Sequence, residues 1–173
     1  MEVILFTDKT CASDNGCGYY RPGTVAYHGF GGASKIFLIE FAMPLNTSSA
    51  NMPAIWMLNA LIPRTNEYGT CQCWGNTDGC GELDLFEVLD AGNTRMVASL
   101  HGKQAGGDSD YFTRPTSGTM KAAIVMTPGQ LVLKVLSSDF VFGSSLSSAD
   151  LASLSGTGNT YVAGSNTSTV TLS

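Results

Sequence analysis

Three carboxylates stand close together in the run Gly79-Cys80-Gly81-Glu82-Leu83-Asp84-Leu85-Phe86-Glu87-Val88-Leu89. Large apolar residues interleave with them, which is the pattern of a strand. On a regular strand Glu82 and Asp84 share a face and Glu87 lies opposite, because successive side chains alternate. One inserted residue, a β-bulge, returns Glu87 to the first face. Glu82 and Glu87 are then about four strand steps apart, roughly 13 Å between Cα atoms. Two Glu side chains leaning together approach the roughly 5–5.5 Å carboxyl separation of a double displacement at a sugar's anomeric carbon. One Glu attacks that carbon, while the other protonates the leaving oxygen and then activates water. Asp84 between them would hold one carboxyl in place. The plainer alternative is a solvated strand face that happens to carry three acids. Repulsion between like charges on one face weighs against it.

The rest of the chain must hold that strand in a sheet. Short apolar runs alternate with turn clusters, as in an all-β fold. Strands are expected at residues 1–7, 35–43, 54–58, 81–88, 95–100, 120–126 and 130–134. Turn signals separate them: Gly31-Gly32, Ala91-Gly92-Asn93, Gly106-Gly107 and Pro128-Gly129. The strands on either side of Thr127-Pro128-Gly129 read as a hairpin. A Ser cap and a Gly stop at Gly156 mark one short helix over residues 147–154. Two packed antiparallel sheets, a β-sandwich, are the expected architecture. No repeat or linker divides residues 1–173, which read as one domain. From Gly156 onward the chain is rich in Ser, Thr, Gly and Asn, as an edge strand (168–172) or a tail would be.

Bulk properties narrow the function. The 173 residues carry a net charge of −5, and only 13% of them are charged. No basic run exists to bind a phosphate backbone, so a nucleic-acid partner is not expected. No stretch approaches the length of a membrane helix, so no membrane partner is expected either. The chain opens without the basic and long apolar regions of a signal peptide, so the reading is a mature domain or fragment. Five cysteines, Cys11, Cys17, Cys71, Cys73 and Cys80, suggest an oxidising compartment. Short loops favour Cys11 with Cys17, and Cys80 with either Cys73 or Cys71. Zinc is the rival for the second cluster, but a structural site wants four ligands and no His lies near. No metal or other cofactor is expected, and a monomer is.

The motifs themselves resemble a known family. Glu82-Leu83-Asp84-Leu85-Phe86-Glu87 fits the Glu-x-Asp-x-x-Glu motif of glycoside hydrolase family sixteen, the group containing laminarinases. Met52-Pro53-Ala54-Ile55-Trp56-Met57-Leu58 and Ser99-Leu100-His101 are similar to two flanking strands of that group. A nearer likeness is to the fungal cell-wall Tos-one-like glycosyl hydrolases. It is carried by Cys17-Gly18-Tyr19-Tyr20-Arg21-Pro22-Gly23-Thr24-Val25-Ala26-Tyr27-His28-Gly29-Phe30, Ala60-Leu61-Ile62-Pro63-Arg64-Thr65, Cys73-Trp74, Gly79-Cys80-Gly81-Glu82 and Tyr111-Phe112-Thr113-Arg114-Pro115-Thr116-Ser117-Gly118. Members of that family carry more sequence upstream, so the chain resembles a catalytic core without its N-terminal part.

The resemblance implies a jelly-roll sandwich in the cell wall or outside the cell, acting on β-1,3-glucan. It implies Glu82 as nucleophile, Glu87 as acid/base, Asp84 as assistant and His101 beside the acids. Trp56 and Trp74 become candidate sugar platforms, with a buried core as the alternative for each. Arg64 and Arg114 become candidate donors to sugar hydroxyls, with a structural salt bridge or loop anchor as the alternative. Tyr19, Tyr20, Tyr27 and His28 are candidate cleft residues. The activity expected is that of a retaining endo-β-1,3-glucanase. A glucan transglycosylase would share the covalent intermediate, and a non-catalytic wall-binding protein would keep only the groove.

Overall fold

The computed structural model describes residues 2–12, 16–24, 26–46, 48, 50–65, 81–101, 109–155 and 167–171, with the backbone alone for 109 and 167–171. Among these residues the elements run β1 (Lys35–Phe41), β2 (Ala54–Leu58), α1 (Leu61–Thr65), β3 (Glu82–Glu87), β4 (Arg95–His101), β5 (Ser109–Thr113), β6 (Met120–Thr127), β7 (Gln130–Val135), α2 (Ser148–Leu154) and β8 (Thr167–Thr171). The strands form two four-stranded sheets, ordered β1-β6-β7-β8 and β2-β3-β4-β5. The chain packs as two compact units, Met1–Gly32 with Trp56–Asp84 and Ser99–Gly107, and Ala33–Ile55 with Leu85–Ala98 and Asp108–Ser173.

The second unit contains the first sheet, and its strands are nearly continuous apolar runs because both faces are covered. In β6, Ala122, Ala123, Ile124 and Val125 are all buried, which alternation on a half-exposed strand would not give. One face packs Ala123, Val125 and Val132 against Leu154 of α2, with Leu136, Phe140 and Leu146 alongside. On the other face Phe41 of β1 meets Phe86 of β3 at 5.0 Å, and Phe86 meets Phe112 of β5 edge-on at 5.1 Å. Those rings bring strands of the two sheets into contact, as the expected β-sandwich requires. The hairpin closes with Thr127 opposite Gln130 across Pro128-Gly129. Helix α2 begins as its sequence signals: the Ser147 hydroxyl accepts from the Asp150 N–H, and the Asp150 carboxylate accepts from the Ser147 N–H. The tail contributes β8, antiparallel to β7, so its edge-strand alternative is the one adopted.

Among its described residues the first unit carries several polar links. Residues 2–7, expected as a strand, form none, and Val3, Ile4 and Leu5 are 73%, 51% and 79% exposed. An apolar run becomes a strand only where a neighbour offers a ladder. Here the Thr7 N–H donates to the His28 carbonyl at 3.1 Å, and Thr10 bridges Tyr27. Two elements were not expected, α1 and β5. Pro63 inside α1 reads as a breaker. The helix forms because the Asn59 carboxamide accepts from the Leu61 N–H at its start. Strand β5 is short and polar, with the sequence Ser-Asp-Tyr-Phe-Thr, and carries little periodic signal.

Candidate active site

Strand β3 delivers the acids. Gly81 precedes it with φ +87°, a left-handed conformation that L side chains rarely adopt, and its carbonyl accepts from the Asn59 N–H at 3.3 Å. Glu82 follows half-buried, and Asp84 is only 5% exposed. Asp84 Oδ2 lies 2.9 Å from Nε2 of His101, the last residue of β4. Glu82 stands close enough to act on the Asp84 carboxyl. One atom each from Glu82, Asp84 and His101 lies within 4.8 Å of the others.

Burial pushes the Asp84 carboxyl above the ordinary carboxylate range, and the charge of Glu82 adds to the push. The hydrogen bond and charge of His101 work against it. Asp84 therefore keeps its proton to a higher pH than a free aspartate would.

Glu87 ends β3 half-buried, in the second unit. Between the two glutamates Leu83, Asp84, Leu85 and Phe86 are all buried, so the strand does not alternate between covered and open positions. Trp56 is half-buried on β2, the neighbour of β3 in sheet order. Trp74, Cys71, Cys73 and Cys80 lie outside the described residues, as does the Gly106-Gly107 turn.

The two arginines expected at the sugar are turned inward, as loop anchors. Arg64 is 8% exposed; its Nε donates to the Ala60 carbonyl and its Nη1 lies 3.7 Å from Cys11 Sγ. Its own carbonyl accepts from the Arg21 N–H and the Thr24 hydroxyl. Arg114 is 2% exposed and donates to the carbonyls of Met43, Pro44 and Asn93 and to the Asn51 carboxamide. With four such bonds the Arg114 guanidinium has little left for a ligand, whereas the Arg64 guanidinium makes two.

Cys11 and Cys17 are joined in a disulfide, as their short loop suggested. The pair lies beside His28, but sulfurs bonded to each other are not thiolate ligands, so the trio is no metal site in this state. His28 Nε2 is buried and, among the described residues, has no hydrogen-bond partner. Burial lowers its imidazole pKa, and Lys9 and Arg64 add to the effect. Tyr19 is 70% exposed, and Tyr27 packs 6.3 Å from Phe6.

Residues 1–154 match the family model described as "Cell wall protein YJL171C/Tos1, C-terminal". The chain belongs to the Tos1 C-terminal family. Among curated Tos1 relatives, proteins from Saccharomyces cerevisiae and Candida albicans are each 49% identical over 84% of the chain. One from Schizosaccharomyces pombe is 45% identical over 93% of it. Each is named a probable circularly permuted 1,3-beta-glucanase. The chain spans about a third of the length of these three relatives, 33%, 34% and 34%. Among solved structures it is similar to an endo-beta-1,3-glucanase from Pyrococcus furiosus. The identity there is 25% over 61% of this chain and 39% of that one, at a TM-score of 0.44.

Proposed function

We propose that this chain is the catalytic part of a retaining endo-β-1,3-glucanase of the fungal cell wall, with Glu82 as nucleophile and Glu87 as acid/base. The observation that carries the reading is the Glu82–Asp84–His101 cluster on β3 and β4. His101 and burial hold Asp84 in place, and Asp84 in turn orients Glu82. The names of the Tos1 relatives support β-1,3-glucan as substrate.

Glu87 completes the pair if β3 carries one extra residue. One extra residue would return Glu87 to the face of Glu82 and Asp84. Glu82 then attacks the anomeric carbon while Glu87 protonates the leaving oxygen. Glu87 next removes a proton from the water that frees the sugar. The outcome is net retention.

The test is hydrolysis of laminarin by the purified protein, followed by proton NMR. New ends should appear first in the β configuration. Glu82→Gln should abolish turnover with the fold intact, and Glu87→Gln should lower it about 10²–10⁴-fold. Initial α ends, or full activity in either variant, would overturn the assignment.

A further inference from the structure

A second polar depression lies wholly within the second unit. Leu89, Asp90, Asn93, Arg95, Val97 and Tyr111 line a cleft of about 230 Å³. That is below the roughly 300–1,000 Å³ of drug-sized sites and suits a single ring-sized group. Its walls are built rather than accidental. The turn into β4 is pinned three times: the Asn93 N–H donates to the Asp90 carbonyl, the Arg95 N–H to Asn93 Oδ1, and buried Arg114 to the Asn93 carbonyl. The Arg95 guanidinium sits 4.2 Å above the Tyr111 ring, a contact that favours this arrangement of two exposed side chains.

The lining chemistry selects a class of ligand. Asp90 and Arg95 bring opposite charges, so neither a free anion nor a free cation finds a matching field. The Asn93 oxygen is already engaged, so its amide N–H groups remain to donate. Leu89 and Tyr111 are 56% and 43% exposed and offer apolar surface. Apolar surface bordered by both donors and acceptors, with no net charge, complements a neutral pyranose. Such a ring has a C–H face and a rim of hydroxyls. The pinned turn means that little order is lost on binding.

We propose that this cleft is a sugar-binding subsite, built from residues other than the acids, that takes one ring of a neutral β-glucan chain. As to the glucan, it rests on the function proposed above. The test is titration calorimetry of the intact chain with laminari-oligosaccharides, alongside a laminarin hydrolysis assay on the same wild-type sample. The Glu82→Gln background prevents turnover during titration. In that background Tyr111→Ala should weaken binding about tenfold, a 1.4 kcal/mol change. Tyr111→Phe, which keeps the ring, should stay within about threefold. Circular dichroism checks that each variant is folded. Equal affinity in folded Tyr111→Ala overturns the subsite even if laminarin is cleaved. No measurable binding to the parent overturns it as well. Tyr111-dependent binding without any hydrolysis by wild type supports the subsite and instead sinks the proposed activity.

Discussion

Each unit contains one buried arginine, and the two residues show how differently the units are held. Arg114 gathers four acceptors from Met43, Pro44, Asn51 and Asn93, inside a unit whose sheets already bury Phe86, Ile124 and Val132. Arg64 ties a loop through a carbonyl and a disulfide sulfur, in a unit that leaves Val3, Ile4 and Leu5 exposed. Among the described residues most of the buried apolar side chains belong to the second unit, while the first holds Glu82, Asp84 and His101. Close positioning of acids depends on such directional contacts, while bulk stability depends on area.

That contrast can be broken by measurement. The largest stability effect should come from Ile124→Ala, which empties a site that is 0% exposed between β1 and β7. A loss of about 2–5 kcal/mol in urea unfolding is expected. Arg114→Ala comes next, at about 3 kcal/mol, because it strands buried carbonyls as well as losing charge-assisted bonds. Arg64→Ala should cost less, and the reverse order would undo the comparison. Cys11→Ser opens a loop with a sequence separation of 6, for which loop entropy gives about 2 kcal/mol. Hydrogen exchange should show that loss confined to residues near 11–28. Uniform loss of protection across β6 and β7 would mean that the units are not separately held.

Asp84→Asn should have the smallest stability effect, visible only against pH. A carboxyl whose pKa is raised by folding stabilises the fold fully below its unfolded pKa, near the ordinary 3.8. That contribution is lost as pH rises through the higher folded pKa. Asparagine cannot ionise, so the melting temperature of the variant should fall less than that of wild type as pH rises from about 3 to 7. Identical profiles would show that Asp84 is not perturbed. Activity should nonetheless drop about 10–100-fold, the equivalent of one charge-assisted hydrogen bond.

Much of this was legible in the chain. The runs Lys35-Ile36-Phe37-Leu38-Ile39-Glu40-Phe41 and Met120-Lys121-Ala122-Ala123-Ile124-Val125-Met126 announce strands because strand burial depends on local composition. The α2 cap and the hairpin at Pro128-Gly129 were legible for the same reason, since both are made by residues a few positions apart. Residues 2–7 misled because an apolar run does not reveal whether a partner strand exists. Helix α1 was missed because its start depends on one Asn59 side chain.

The site divides along the same line. Sequence by itself determined that Glu82, Asp84 and Glu87 lie within one strand and that Cys11 and Cys17 are close enough to join. The resemblance put His101 beside the acids, and the tertiary structure supplies the contact, His101 Nε2 at 2.9 Å from the Asp84 carboxyl 17 positions away. It also decided that Arg64 and Arg114 face inward, and that Arg95 lies over Tyr111 to shape a second cleft. The physical reason is range. Alternation, capping and short loop closure are settled within a few residues of chain. Which side chains share a buried space, and which protons are thereby retained, depends on strands that meet only after the chain has folded.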